Sequence, residues 1–190
     1  MTPPAQARRR VGLTGGIACG KSTVQEFLQA RGVPVLDTDK VAHEVMRQGS
    51  DVHTSILQTF GDSILNEKGE IHRAKLGRLV FSDPQALSTL NRLVHPEVGR
   101  RWRQWLRDQT APLAVVAIPL LFECGLQSEF DGVLCVHAPE SLMKQRLLLR
   151  GLDEAQAQQR IQSQWPVDQK AEASTWTLKN HGTLPKLKAQ

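Results

Sequence analysis

Lys21 and Ser22 close the run Gly15-Gly16-Ile17-Ala18-Cys19-Gly20, in the spacing G-x-x-x-x-G-K-[ST]. Each fixed position of that pattern has a physical task. Glycines reach backbone angles that let successive N–H groups converge on phosphate oxygens. A helix beginning near Lys21 aims the positive end of its dipole at the same point. The Lys21 ammonium reaches the β- and γ-phosphates, and the Ser22 hydroxyl is offered to Mg²⁺. Thr23 follows directly and joins the nucleotide-binding set. The chemistry is capture of a nucleoside triphosphate. The bland alternative is a Gly-rich turn that matches by chance; a preceding strand and a following helix are the context that decides, and the sequence has both.

Transfer of a phosphoryl group needs more than a cradle. Asp37 and Asp39 follow the second strand candidate in Leu36-Asp37-Thr38-Asp39. In an open parallel sheet, ligands bind beyond the carboxyl ends of the strands. A carboxylate there can take a proton from an attacking hydroxyl or hold Mg²⁺. The alternative is helix capping by Thr38 or Asp39 ahead of Val41-Ala42. The strand Val115-Val116-Ala117-Ile118 ends without an acid, and neither Ala117 nor Pro119 can bind a cation by side chain, so Glu123 is the nearest later carboxylate. Arg146 and Arg150 stand four apart on a helical stretch and share a face, with Arg160 on the next. Such guanidinium groups either close over a triphosphate and stabilise the transferring phosphoryl, or form a solvated charged face. The six histidines show no metal-ligand spacing, and Trp102 and Trp105 read as packing residues.

The elements that position these residues follow from pattern and punctuation. Residues 1–9, with Pro3-Pro4 and the arginines from Arg8, read as a flexible extension. Arg10–Thr14 is a short buried strand. A helix from Lys21 carries Val24, Phe27 and Leu28 at i, i+3, i+4 spacing and stops at Gly32. Val33–Leu36 is a second strand, completing a βαβ unit and implying a parallel sheet. From about 40 to 110 the chain reads as a helical insertion, with a polar turn at Asn66–Gly69 and a helix start at Asp83-Pro84. His95-Pro96 predicts a break, with Pro96 opening a new helix. Strands resume at Leu113–Ile118 and Val133–Val136. Helices over Glu140–Arg150 and Asp153–Gln164 form a lid at about 140–170, the second opened by a capping box of Asp153 and Gln156. Trp176–Leu178 is the last strand candidate. The expected class is α/β, a P-loop NTPase-like three-layer αβα fold with a parallel sheet, a helical acceptor-binding insertion and a helical lid.

Bulk properties bound the rest. At 190 residues, 40% hydrophobic and 23% charged, the chain fits one globular domain. The net charge of +5 owes part to Arg8-Arg9-Arg10 and to Lys186 and Lys188, read as solvated ends. A basic stripe with interleaved aromatics is missing and tyrosine is absent, which argues against a nucleic-acid binder. No apolar run approaches the ~20 residues of a membrane span. Three scattered cysteines give neither zinc spacing nor a disulfide framework, and a reducing cytoplasm is expected. A monomer or weak homo-oligomer is expected.

Over nearly its whole length the chain resembles the dephospho-coenzyme A kinases. The resemblance rests on Leu13-Thr14-Gly15-Gly16-Ile17, Asp37-Thr38-Asp39 with Ala42-His43, and Leu90-Asn91-Arg92-Leu93-Val94-His95-Pro96. It continues through Ile118-Pro119-Leu120-Leu121-Phe122-Glu123, Arg146-Leu147 with Arg150, and Asn180-His181-Gly182. It implies ATP- and Mg²⁺-dependent phosphorylation of the ribose 3′-hydroxyl of dephospho-coenzyme A, the last step of coenzyme A synthesis. It implies Asp39 as general base, and Lys21 and Arg150 as phosphate-binding groups, with Arg146 among the ATP contacts. Asn180 and Gly182 match a segment near the ATP base. On the acceptor side it implies Asp37, His43, Asn91, His95 and the segment Pro119-Leu120-Leu121 to Glu123, while Arg73 in the insertion can meet an anionic diphosphate. A kinase of another small acceptor, such as a nucleoside or nucleotide, shares the phosphate-binding parts. Ala18-Cys19 stands where many relatives have Gly-Ser, and the Ala18 Cβ makes a positive backbone angle there harder to reach.

Overall fold

The computed structural model of the chain describes residues 8–190. Five strands form one parallel sheet: β1 (Arg9–Gly15), β2 (Val35–Asp37), β3 (Leu113–Ala117), β4 (Gly132–His137) and β5 (Trp176–Lys179), in the order β2-β3-β1-β4-β5. The helices, in chain order, are α1 (Lys21–Gln29), α2 (Thr38–Val45), α3 (Asp51–Phe60), α4 (Arg73–Ser82), α5 (Pro84–Asp108), α6 (Glu140–Leu149), α7 (Glu154–Gln162), α8 (Val167–Glu172) and α9 (Leu184–Ala189). The expected α/β class is what forms, with helices on both sides of the sheet. Of the expected extension over 1–9, residues 1–7 lie outside the described part, and Arg9 already pairs with Leu113 in β1.

The chain divides into two compact units, one drawn from the chain up to Leu36 and from Gln109 to Gln190, the other Asp37–Asp108. In the sheet unit β3 and β4 are nearly continuous apolar runs, and β1 is buried from Val11 to Gly15, as strands covered on both faces must be. Val11 pairs in register with Val115 on one side and Gly132 on the other, and Gly15 pairs with Val136. Leu13, Val116 and Val136 are fully buried. Val24 from α1, Met143 from α6, Val167 from α8 and Leu187 from α9 belong to the same core cluster. The capping box at the start of α7 forms as the sequence implies, with Asp153 accepting from the Gln156 N–H and the Gln156 side chain accepting from the Asp153 N–H. Lys186 and Lys188 are exposed, as expected, but they belong to a helix rather than a tail. They lie on α9, whose Leu187 is 3% exposed, and the Lys188 ammonium sits 5.9 Å from the Phe27 ring centroid. After α9, the Gln190 carboxamide accepts from the Lys179 N–H at 2.9 Å and donates to the Lys179 carbonyl at 3.1 Å.

In the helical unit α5 is one helix of 25 residues, and Pro96 lies inside it rather than opening a new one. A mid-helix proline removes one i→i−4 hydrogen bond and costs about 3 kcal/mol. Burial on both sides of it offsets that cost: Val94, Val98, Trp102 and Leu106 recur every fourth residue and are all buried. α2, α3 and α4 each pack on this helix. Asp83 caps α5 as expected, accepting from the Gln85 N–H at 2.8 Å with Pro84 in the first turn. The Asn66 side chain accepts from the N–H groups of Lys68 and Glu70, which shapes the predicted polar turn. Among the described residues no helix is long and apolar enough to cross a membrane.

Candidate active site

The turn after β1 is held in one shape by close approaches. Gly15 and Gly20 have φ of 150° and 94°. A Cβ on Gly15 would strike the Val136 carbonyl oxygen, and one on Gly20 the Asn180 carboxamide. Only glycine fits either position. Ala18 also takes a positive φ, 59°, the one non-glycine residue to do so among the described residues. That conformation costs an L-residue about 1 kcal/mol or more. Its methyl is buried in a cluster with Leu147 and Ala157, which returns part of that cost. The Cys19 N–H donates to the Gly16 carbonyl at 3.2 Å. The Cys19 thiol is fully buried, and burial pushes its pKa up, so it is a packing group rather than a nucleophile.

α1 starts at Lys21 with Gly20 at its N-cap and no side-chain cap, so its first N–H groups are not consumed by a capping oxygen. Lys21 is partly buried and engaged within the fold, Ser22 is exposed and Thr23 partly buried. The Ile17 N–H donates to Gln164 Oε1 at 3.1 Å. Arg146 forks between two carbonyls, those of Ala18 and Asn180, both at 3.0 Å. Asn180 Nδ2 donates to the Cys19 carbonyl at 2.7 Å. Arg150, at the C-cap of α6, is exposed, as are Arg160 and Gly182.

The segment after β3 is anchored by a residue that pattern reading misses. Lys170 is fully buried, and its ammonium donates to Glu123 Oε1 at 2.7 Å and to the Pro119 carbonyl at 2.9 Å. The Pro119 carbonyl also accepts from the Thr14 hydroxyl at 3.2 Å. Glu123 Oε1 accepts the Trp165 N–H at 2.9 Å, and the Phe122 and Trp165 rings stack with centroids 6.1 Å apart. Glu123 is therefore an ion-paired anchor of its own loop, and its Oε2 is buried without a hydrogen-bond partner. Leu121 is fully buried and would meet any Cβ on Gly12, so it is a core side chain rather than a ligand-facing one. Pro119 and Leu120 remain partly exposed. Lys170 lies three residues after buried Val167 on α8, a six-residue helix too short to show a period.

In the helical unit, Asp37 rather than Thr38 or Asp39 caps α2, its Oδ1 accepting the Asp39 N–H at 3.0 Å. Thr38 is buried, and Asp39 is exposed in the first turn. His43, one turn further along α2, is partly buried. Desolvation and then the Arg73 charge lower its pKa, while Asp39 and Asp37 pull it up. The fold thus brings Asp37, Asp39, His43 and Arg73 within electrostatic reach of one another. Asn91 and His95 stand four apart on α5 and share a face. Asn91 is partly buried; His95 is exposed as a residue, and desolvation still lowers its pKa.

The Ser22 hydroxyl in the sheet unit is a hard, exposed oxygen, and so, in the helical unit, is the Asp39 carboxylate; each is of the kind that Mg²⁺ takes beside phosphate and water.

Comparison with known proteins bears on the whole chain. The family model described as dephospho-CoA kinase matches residues 9–186. The dephospho-CoA kinase of Geobacillus kaustophilus is 40% identical over 184 residues, which is 95% of this chain and 92% of that protein. That of a Synechococcus species is 42% identical over 93% of this chain and 86% of its own length. The solved dephospho-CoA kinase of Campylobacter jejuni superposes with a TM-score of 0.68 at 26% identity, covering 95% and 92% of the two chains. With the phosphate-binding turn, the acidic pair and the late arginines all present within that match, the chain belongs to the dephospho-CoA kinase family.

Proposed function

We propose that this protein transfers the γ-phosphoryl group of ATP to the ribose 3′-hydroxyl of dephospho-coenzyme A, giving coenzyme A and ADP, the last step of coenzyme A synthesis. The observation that carries the proposal is the glycine-locked turn from Gly15 to Gly20, opening α1 at Lys21, in a chain matched to this family over residues 9–186. Backbone N–H groups of the turn from Gly16 to Ser22 hold the phosphates, except those of Ile17 and Cys19, which shape the turn by bonding to Gln164 and Gly16; Thr23 stands at the trailing end, and Lys21 balances charge on the β- and γ-phosphates. Ser22 and Asp39 are the residues that would hold Mg²⁺, which would neutralise phosphate charge. Asp39 takes the proton of the attacking hydroxyl as its oxygen bonds to the γ-phosphorus and the bond to the leaving ADP oxygen breaks. Arg150 stabilises charge on the transferring group. Gly182 lies on the side of the ATP base. Asp37, His43, Arg73, Asn91, His95, Pro119, Leu120 and the loop anchored by Glu123 serve the acceptor.

The test is kcat/KM for dephospho-coenzyme A, AMP and adenosine at the same ATP and Mg²⁺. The helical unit, Asp37–Asp108, is more than a small nucleoside pocket requires. Binding energy from the diphosphate and pantetheine arm orients the hydroxyl, so truncated acceptors lose kcat as well as affinity. AMP or adenosine serving as well as dephospho-coenzyme A would replace this reading with a nucleotide or nucleoside kinase. The three free thiols fit a reducing cytoplasm, and a monomer or weak homo-oligomer is the working form. Neither a membrane nor a nucleic acid is needed as partner.

A further inference from the structure

We propose that Asn180 is a positioning residue for the triphosphate: it latches the phosphate-binding turn from behind and sets the Gly20 N–H toward the phosphates, rather than reading the nucleotide base. The inference rests on the turn being the triphosphate site.

Asn180 is spent on the protein. It follows β5, and its N–H donates to the His137 carbonyl at 2.7 Å, which ties it to β4. Its carbonyl accepts from Arg146 at 3.0 Å. Its side chain donates to the Cys19 carbonyl at 2.7 Å. A carbonyl only accepts, so the amide nitrogen must be the atom that faces Cys19. The residue is 5% exposed, which leaves almost no surface for a base to touch.

The effect on the turn follows from peptide geometry. In a trans peptide the C=O and N–H point in opposite directions, and the described residues contain no cis bond. Drawing the Cys19 oxygen toward Asn180 turns the Gly20 N–H the other way. Arg146 acts likewise one peptide earlier: it holds the Ala18 oxygen while the Cys19 N–H of the same peptide turns back to the Gly16 carbonyl. Two consecutive peptide planes are fixed from one side by groups that converge on Asn180. The close approach of its carboxamide is also what bars any Cβ from position 20. An N–H already aimed at an anion needs no reorganisation when the anion arrives.

The test separates a latch from a base contact by removing the base. Affinities for ATP, GTP and inorganic tripolyphosphate are measured by calorimetry for the wild type and Asn180→Ala, well below the melting temperature of each. A latch predicts that all three weaken by the same factor, about fivefold to tenfold for one lost buried hydrogen bond. Loss confined to ATP, with tripolyphosphate unaffected, overturns the latch in favour of base recognition. Three unchanged affinities overturn it outright. If Asn180→Ala does not fold, Arg146→Lys is used: it keeps the charge but cannot fork across two carbonyls, and the same uniform loss is expected, with unchanged affinities counting against the latch. Wild-type protein that binds neither ATP nor tripolyphosphate would remove the triphosphate site itself, and the latch with it.

Discussion

Replacing Lys170 by methionine tests the anchor beneath the loop after β3. Methionine fills similar volume but leaves a partly buried carboxylate, Glu123, without its cation, and takes one of two donors from the Pro119 carbonyl. Glu123 is 16% exposed and its Oε2 already lacks a partner, so water relieves little of that charge. Removing one member of a buried pair costs about 3–5 kcal/mol. For a chain of this size each kcal/mol moves Tm by roughly 2–4 °C, so a fall of about 6–20 °C is expected. Adding Glu123→Gln should recover much of it. The amide keeps an oxygen for the Trp165 N–H and removes the stranded charge. The assay is chemical or thermal unfolding of the wild type, both single variants and the double, read as a double-mutant cycle. A cost below about 1 kcal/mol for Lys170→Met, or a double variant less stable than Lys170→Met alone, would refute the reasoning that the buried charge is what makes the loss expensive.

Lys21→Ala should nearly abolish transfer while circular dichroism and Tm report an intact fold; a folded variant with near-normal turnover would remove the phosphate-binding assignment. Asp39→Asn should lower kcat by about 10²–10⁴-fold with a much smaller effect on ATP affinity. Asp37→Asn is its control, because asparagine still caps α2, and damage confined to the Asp37 variant would show that the wrong carboxylate is named. Ala18→Gly relieves the positive φ but loses a buried methyl and loosens the unfolded chain, so unfolding experiments should find a change below about 1 kcal/mol; a gain above about 2 kcal/mol would mean the turn carries more strain than its geometry implies.

The parts of the fold legible in the sequence are those that rest on local rules. Gly15, Gly20 and Lys21 have a spacing with a single use, and Asp153 with Gln156 caps α7 because a short acceptor and an amide three residues on suffice. Pro96 misled because the local penalty of a mid-helix proline is outvoted by burial of Val94, Val98, Trp102 and Leu106 on both sides of it. Lys186 and Lys188 looked like a tail because one buried leucine between two lysines leaves no period to detect. Lys170 was invisible for a related reason: its partners are 47 and 51 residues back, and only tertiary structure pairs them. The candidate site divides the same way. Its phosphate-binding residues sit in consecutive positions and are legible, whereas Asn180 reaches the turn across 161 residues of chain.

The Gln190 carboxamide bonded to Lys179 has a consequence for the edge of the sheet. β5 is an outer strand, and an outer strand offers unpaired N–H and C=O groups on which another chain can build a sheet. The Gln190 amide imitates the backbone of one more strand at Lys179, satisfying both groups with a single side chain. At that position the groups on which a further strand would build are already taken. Truncating it, or replacing it with a residue that cannot both give and take a hydrogen bond, would leave the Lys179 N–H and C=O open to pairing at that edge.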